Sequence, residues 1–218
     1  DEGSGEEEGE EGEEGDDEES DEPPQGAKYM KKWLVDALLT AAVTRVPEVE
    51  LKDYPVRGRY MKRAPKREFH YPGHEDVIYA WGQETSAYPG GDEYSGLPMP
   101  AWMRDIADRI RTEFGEEVNL AILIKYADGV LHFAPPHKDK IDADTGFFVI
   151  SFGTPRKFQL LSQVKPNVVE WEAPLESGSL LVVSGALNQS HWHAVPKDPT
   201  WEGEPRWSLI FRTIRRRQ

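Results

Sequence analysis

The chain has 218 residues, no cysteine and a formal net charge of −14, a size that suits one large domain with a tail. The lack of cysteine excludes disulfide bonds and thiolate metal sites. No apolar stretch is long enough to span a membrane, and the acidic start is unlike a signal or transit peptide. These features predict an intracellular protein, in the nucleus or the cytoplasm, that has no membrane partner.

Residues 1–22 carry most of the charge imbalance. They hold 15 of the 40 acidic residues and no basic residue, so the rest of the chain is close to neutral. Such a run lacks the apolar side chains needed to offset chain entropy, and residues 1–26 are therefore predicted to be a disordered acidic tail. The tail either binds a basic partner or serves only as a solvated terminus.

Two helices are predicted before the β-rich part of the chain. Residues 28–43 repeat apolar side chains at helical spacing, which predicts an amphipathic helix. A second helix is predicted to begin at Pro100 and to end at Gly115, with an apolar residue at every fourth position from Trp102 to Phe114. Between them, residues 47–100 are rich in Pro, Gly, Tyr and charge, which predicts short strands and loops.

Short apolar runs separated by turn residues follow from residue 119 onward. They cover residues 119–126, 130–134, 147–153, 157–162, 168–172, 179–184, 190–195 and 206–214. Eight short strands at this spacing are typical of an antiparallel sandwich or barrel. The predicted fold class is therefore mainly β (α+β), with flanking N-terminal helices.

His137-Lys138-Asp139 and a later His193 are the strongest functional signal in the chain. Two imidazoles and one carboxylate are the ligand set of a non-haem iron(II) facial triad, which leaves coordination positions open for a cosubstrate and dioxygen. His137 and Asp139 are two residues apart, so on a strand both side chains leave the same face. The residues alone leave the third ligand open between His191 and His193.

Arg206 and Arg212 lie six residues apart on one predicted strand and therefore share a face. A buried carboxylate needs a paired cation, and an arginine fork offers it two parallel hydrogen bonds. The two arginines could thus hold the ends of a small diacid. The alternative is a solvated edge strand with basic residues.

The order and spacing of these motifs resemble those of the AlkB-like Fe(II)/2-oxoglutarate-dependent dioxygenases. The resemblance spans roughly residues 52–214 and rests on the His-x-Asp pair and on the runs at 119–129, 151–158, 180–185, 191–197 and 206–212. It implies a double-stranded β-helix (jelly-roll) core over residues 117–214. This core would belong to a dioxygenase domain of residues 27–218, in which residues 47–100 form the substrate lid region.

The same resemblance implies that Fe(II) is bound by His137, Asp139 and His193, with His193 selected because it stands three residues before Pro196. The cosubstrate 2-oxoglutarate would be oxidised together with the substrate by O2. The implied cosubstrate contacts are Tyr126, Arg206, Ser208 and Arg212. Two positions depart from the family pattern, since Ser208 and Ile124 stand where the family often has Asn.

The lid region interleaves basic and aromatic residues. The candidate substrate contacts are Arg59, Lys62, Phe69 and Tyr71. Phosphate-neutralising charge mixed with stacking rings suits a nucleic acid, and the alternative is a charged loop anchored by buried aromatics. With the resemblance, this pattern predicts a monomeric enzyme that oxidatively demethylates N-alkylated bases in DNA or RNA. The alternatives are a hydroxylase or demethylase of a protein side chain or small molecule, and a catalytically inactive binding module.

Overall fold

The computed structural model describes residues 22–48, 55–56, 59–60, 66–71, 78–81, 92–95, 97–162, 164 and 168–213. Its helices are Asp36–Arg45 (α1), Ala101–Phe114 (α2) and Gly185–Ser190 (α3), with a 3-10 turn at Val46–Glu48. Its strands are Ala27–Met30 (β1), Pro55–Val56 (β2), Arg59–Tyr60 (β3), Lys66–Tyr71 (β4), Ile78–Trp81 (β5), Asp92–Ser95 (β6), Leu97–Pro98 (β7), Leu120–Tyr126 (β8), Ala134–His137 (β9), Gly146–Phe152 (β10), Arg156–Leu161 (β11), Val169–Leu175 (β12), Leu180–Ser184 (β13), Trp192–Val195 (β14) and Arg206–Arg212 (β15). Over these residues, we find no helix with the length and apolar character needed to cross a membrane.

Two sheets pack face to face and enclose part of the core. The larger sheet has the strand order β1-β13-β10-β15-β8-β4-β7, and the smaller one has the order β12-β11-β14-β9. Neighbouring strands in both sheets are antiparallel, except for β4 and β7. The predicted fold class, mainly β with a jelly-roll core and flanking N-terminal helices, is confirmed.

The larger sheet is buried on both faces. Along β8, Ile122, Ile124 and Tyr126 pack in the core between the two sheets, whereas Ala121 and Leu123 pack in the core under the helices. Successive side chains of a strand alternate between faces, so one strand contributes to both cores. The helical layer therefore supports the sheet that forms one wall of the functional site.

Helix α2 forms where the sequence predicts it. It begins directly after Pro100 and ends at Gly115, whose φ of 72° is the left-handed conformation that favours glycine. Trp102, Ile106 and Ile110 are buried against the larger sheet and α1. The apolar spacing thus identified both the helix and its packed face.

The prediction of a helix over residues 28–43 is wrong in its first half. Ala27–Met30 is strand β1, which pairs antiparallel with β13 so that Ala27 lies opposite Val183. Helix α1 begins only at Asp36. Hydrogen bonds to the open edge of the larger sheet outweigh the modest helical preference of this segment.

Two predicted strands near the functional site also differ from the structure. Residues 130–134 begin in a turn rather than a strand, because the Asp128 carboxylate accepts hydrogen bonds from the backbone N–H groups of Val130 and Leu131 at 2.7 and 2.6 Å. Strand β9 starts at Ala134. The strand predicted over 190–195 starts at Trp192, because the preceding residues form helix α3.

Candidate active site

The three predicted metal ligands come together in the structure. His137 ends β9 and lies opposite His193 on the neighbouring strand β14, and Asp139 follows two residues after His137. One ligand atom from each of these residues lies within 4.8 Å of the other two. Nε2 of His193 and Nε2 of His137 are 3.6 and 3.8 Å from the carboxylate oxygens of Asp139. This set of two nitrogen donors and one oxygen donor could hold a metal ion such as Fe(II).

Both histidines present a neutral nitrogen to the cluster. Nδ1 of His137 lies 2.7 Å from the carbonyl oxygen of Pro135 and donates to it, which leaves Nε2 for a metal. The ring of Phe158 stacks on His193 with a centroid distance of 5.7 Å, and the ring of Phe147 lies 5.1 Å away. Burial is the main cause that lowers the pKa of His193 to about 3. The imidazole of His193 is therefore ready to bind a cation without first losing a proton.

His191, the other candidate for the third ligand, makes different contacts. Its Nε2 lies 2.8 Å from the Glu170 carboxylate, and its Nδ1 lies 2.7 Å from the hydroxyl of Ser190. The cluster of potential ligands among the described residues contains His193 and not His191. The structure thus resolves the choice that the residues alone left open.

Asp139 is held through both its side chain and its backbone. Its carboxylate forms a buried ion pair with Arg212. Its backbone N–H donates to Oδ1 of Asn188 at 2.9 Å, and its carbonyl accepts from Nδ2 of Asn188 at 2.8 Å. Burial would raise the pKa of Asp139, but the charge of Arg212, with smaller contributions from the histidines, holds this pKa below its ordinary value. Asp139 is therefore a carboxylate anion, as a metal ligand must be.

Arg206 is a buried cation that has N–H donors available for a ligand. It is 1% exposed, its Nη2 donates to the hydroxyl of Ser151 at 3.1 Å, and its guanidinium carbon lies 5.2 Å from the centre of the Tyr126 ring. Nε and Nη1 of Arg206 have no hydrogen-bond partner among the described residues. Burial lowers the pKa of Arg206 to about 10, so the group stays protonated at neutral pH. Open donors on a buried cation are what a carboxylate ligand such as 2-oxoglutarate requires.

The three candidate metal ligands, Arg206 and Arg212 line one pocket of about 510 Å³, a volume that includes its open mouth. The volume suits a small-molecule site. Its polar wall consists of Arg67, Tyr126, His137, Asp139, His193, Arg206, Ser208 and Arg212. Tyr126 and Ser208, which the sequence predicts to contact the cosubstrate, are both buried in this wall. The donor set and Arg206 therefore fit Fe(II) and 2-oxoglutarate.

Of the four predicted substrate contacts, only Phe69 has a side chain that the structure describes. Phe69 is 5% exposed and packs in the core between the two sheets, and its contact with a substrate stays a prediction. Arg59 belongs to β3 and Tyr71 ends β4, but their side chains lie outside the described part of the chain. Lys62 lies outside it entirely.

Asn188 was not among the sequence predictions, and Arg67 was noted only as one of the basic residues of the lid region. Asn188 lies in α3, a helix too short to give a periodic apolar signal. Arg67 lines the pocket from β4. Desolvation is the main cause of the lowered pKa of His137, and the positive charge of Arg67 lowers it further. The alternation along β4 places Arg67 and Phe69 on one face, but only the sheet pairing tells which face borders the pocket.

The comparisons with known proteins agree with this site. The family model described as the 2OG-Fe(II) oxygenase superfamily matches residues 26–212. The human alpha-ketoglutarate-dependent dioxygenase alkB homolog 3 is 27% identical over 166 residues, which cover 64% of this chain and 54% of that protein. The chain thus spans about half the length of this curated relative. The solved structure of OsALKBH1 has a TM-score of 0.56 and 14% identity and covers 87% of this chain and 97% of that one, which is a likeness of fold.

Proposed function

Because the chain belongs to the 2OG-Fe(II) oxygenase superfamily, we propose that it is a dioxygenase that oxidatively demethylates N-alkylated bases in DNA or RNA. The AlkB-like resemblance seen in the sequence is confirmed by the family match and by the AlkB relative. The predicted enzyme class, a 2-oxoglutarate- and Fe(II)-dependent dioxygenase, and the predicted cofactors are those of the matched family.

One observation carries the oxidative part of this proposal. A cluster of two histidines and one carboxylate shares a single pocket with the buried Arg206, whose Nε and Nη1 have no partner among the described residues. His137, Asp139 and His193 would hold Fe(II). Arg206 would bind a carboxylate of 2-oxoglutarate through its open donors, beside the ring of Tyr126.

When bound, Fe(II) and 2-oxoglutarate supply an oxidation in which O2 converts 2-oxoglutarate to succinate and carbon dioxide and places one oxygen atom in a substrate C–H bond. The residues of the chain bind and orient the participants and exclude water from them. Phe147 and Phe158 provide this exclusion around His193, and no side-chain nucleophile is needed. Hydroxylation of an N-methyl carbon gives a hemiaminal, which breaks into formaldehyde and the base with its N–H restored.

The nucleic-acid part of the proposal is supported by the sequence of the lid region. Seven basic residues between positions 52 and 67 are interleaved with Tyr54 and Tyr60, and Tyr71 follows them. Basic residues attract phosphate groups, and a base must leave its stack to reach a pocket of this kind. A basic partner for the acidic tail, a monomeric state and a location in the nucleus or cytoplasm remain predictions.

The test is a turnover assay with Fe(II), ascorbate, 2-oxoglutarate and air. The substrates are N-methylated oligonucleotides, methylated peptides and free nucleosides, and the readouts are succinate, formaldehyde and substrate mass. We expect succinate and formaldehyde in equal amounts with a methylated oligonucleotide, and neither product with His137→Ala. The double variant Arg59→Glu/Lys62→Glu should lose oligonucleotide turnover and keep uncoupled succinate formation.

The alternative functions give different results in the same assay. Succinate formation without turnover of any oligonucleotide, but with oxidation of a peptide or a nucleoside, would replace the nucleic-acid assignment. If the wild-type protein forms no succinate although it binds the metal, the chain is an inactive binding module.

A further inference from the structure

Arg156 is a buried cation that the proposed function does not use. It begins β11, is 1% exposed and is not among the described residues that line the pocket. Its guanidinium donates to the carbonyl oxygens of Asp128, Gly129, His132 and Pro196, at 3.2, 3.4, 3.4 and 2.8 Å. A buried guanidinium that donates to backbone carbonyls joins segments of the chain to one another.

The two strands that carry the histidine ligands pair irregularly. His137 of β9 lies opposite His193 of β14, Ala134 lies opposite Val195, and the register shifts between these two pairs. Two prolines separate Ala134 from His137 in β9, and Pro196 directly follows β14. Proline has no backbone N–H, so it cannot donate a hydrogen bond to a neighbouring strand. The pairing that sets the spacing of the two imidazoles therefore lacks several donors.

Arg156 bridges these two strands just beyond their last pair. His132 lies two residues before Ala134, and Pro196 lies one residue after Val195. Nη2 of Arg156 donates to the carbonyl oxygens of both His132 and Pro196, at 3.4 and 2.8 Å. The side chain thus links β9 to β14 at the point where Pro196 cannot donate to continue the ladder.

The same guanidinium also contacts the end of the strand that carries Tyr126, a predicted cosubstrate contact. Its Nη1 donates to the carbonyl oxygen of Asp128, two residues after Tyr126 ends β8. Tyr126 lies opposite Arg206 of β15, and its ring centre is 5.2 Å from the guanidinium carbon of Arg206 and 6.0 Å from that of Arg156. Arg156 therefore connects the segments that carry both histidine ligands and this tyrosine.

The loops that Arg156 joins are closely packed. The backbone N–H of Asp198 donates to the carbonyl oxygen of Gly129 at 2.8 Å, and a Cβ added at Gly129 would collide with the carbonyl oxygen of Asp198. The guanidinium carbon of Arg156 lies 5.0 Å from the centre of the Trp201 ring, and the Trp201 indole donates to the carbonyl oxygen of Pro155 at 3.0 Å. Closely packed groups transmit a displacement to their neighbours, so a change at Arg156 should reach both loops.

We propose that Arg156 is a positioning residue that holds β9, β14 and the end of β8 at the spacing that Fe(II) and 2-oxoglutarate require. The inference rests on the Fe(II) and 2-oxoglutarate part of the proposed function and does not depend on the substrate. Without the bridge, His137 and His193 are no longer held at one separation, which weakens metal binding. Tyr126 loses the support of the loop that follows it, which weakens cosubstrate binding.

The experiment compares Arg156→Met with Ile110→Ala, because both changes should destabilise the fold. Ile110 is 0% exposed and packs in the core under the helices, on the other face of the larger sheet from the pocket. Its truncation leaves a cavity there and lowers the stability without a contact to the site. Urea unfolding compares the stability of the two variants. Calorimetric titration gives the Kd for Mn(II) and, with Mn(II) saturating, the Kd for 2-oxoglutarate.

Arg156→Met should raise the Kd for Mn(II) by about 10–100-fold, the size typical for loss of a group that orients metal ligands. Its Kd for 2-oxoglutarate should rise as well. The electron paramagnetic resonance spectrum of bound Mn(II) should broaden, because the ligands no longer have one fixed arrangement. Ile110→Ala should keep the wild-type Kd values and spectrum at a comparable loss of stability.

Arg156→Lys separates the bridge from the charge. Lysine keeps the positive charge but donates from a single nitrogen, so it cannot reproduce the fork that joins the carbonyl oxygens of several segments. Its Mn(II) affinity and spectrum should lie between those of the wild-type protein and those of Arg156→Met. If Arg156→Met does not fold, the comparison of Arg156→Lys with Ile110→Ala decides by the same two readouts.

The possible failures are distinguishable. Wild-type Mn(II) affinity and spectrum in Arg156→Met, or an equal change in Ile110→Ala, would overturn the positioning role and leave the proposed function intact. Wild-type values in Arg156→Lys would assign the effect to charge alone and overturn it too. If the wild-type protein binds neither Mn(II) nor 2-oxoglutarate, the proposed function fails and this inference fails with it.

Discussion

Replacing Asn188 tests whether the metal cluster depends on a residue that does not bind the metal. The Asn188 side chain is 2% exposed, and its amide makes both hydrogen bonds to the backbone of Asp139, at 2.8 and 2.9 Å. Asn188→Ala removes both bonds and leaves the N–H and C=O groups of Asp139 buried without them. Each such loss costs about 1–3 kcal/mol, so we expect the free energy of unfolding to fall by roughly 2–6 kcal/mol.

The same change should weaken metal binding, because Asp139 loses the contact that fixes its backbone relative to the two histidines. Loss of an outer partner of a metal ligand typically lowers metal affinity by about 10–100-fold. Urea unfolding of the metal-free protein measures the stability, and calorimetric titration with Mn(II) measures the affinity. Gln189→Ala is the matched control, since Gln189 is the exposed neighbour in the same helix.

The two measurements also separate a general loss of stability from a loss at the site. If Asn188→Ala binds Mn(II) as tightly as Gln189→Ala does, then Asn188 only stabilises the fold. If its unfolding free energy also stays within about 0.5 kcal/mol of that control, the hydrogen bonds to Asp139 have no measurable role.

Three further predictions concern buried side chains that can carry a charge. Arg206→Met should raise the unfolding free energy of the metal-free protein by about 1–3 kcal/mol in urea, because it removes a buried cation whose Nε and Nη1 lack partners among the described residues. The same variant should no longer bind 2-oxoglutarate. A lower unfolding free energy would contradict this reasoning. The pKa of His193 is about 3 in the folded protein and 6.5 when the side chain is exposed. At pH values between 3 and 6.5 the unfolded state therefore binds more protons, and the free energy of unfolding decreases as the pH is lowered. Between pH 6.5 and pH 5.0 the metal-free protein should lose about 1.5 kcal/mol through this group, and His193→Gln should show a smaller pH dependence. Arg156→Met should cost about 3 kcal/mol of unfolding free energy, since the buried Arg156 guanidinium donates to four backbone carbonyls, and an unchanged urea midpoint would refute this.

The parts of the fold that could be predicted from sequence are those with a local, repeated signal. Helix α2 repeats an apolar residue at every fourth position over 14 residues and ends at a left-handed glycine. Strand β15 could be predicted as well, because it is a short run in which Trp207, Leu209 and Phe211 recur at every second position. By contrast, β1 is a strand only because it pairs with β13, about 150 residues later in the chain, and nothing within residues 27–30 reveals that partner.

The candidate site, like the fold, contains residues that the sequence reveals and residues that it does not. His137 and Asp139 form a short motif whose chemistry can be recognised without a structure, and His193 completes it in the fold. Asn188 could not be identified, because its role depends on a contact between separate segments of the chain. An asparagine that holds another residue's backbone looks in sequence like any other asparagine, since only its position beside Asp139 gives it that role.

The alternation along β15 has a consequence for how this protein could acquire new substrates. Arg206 and Arg212 border the pocket, while Trp207, Leu209 and Phe211 between them pack in the core under the helices. A one-residue insertion in the middle of this strand would turn the residues after it to the opposite face and bring Arg212 into an apolar layer. Natural or laboratory selection for altered specificity should therefore leave the length of β15 unchanged and act on other parts of the pocket wall.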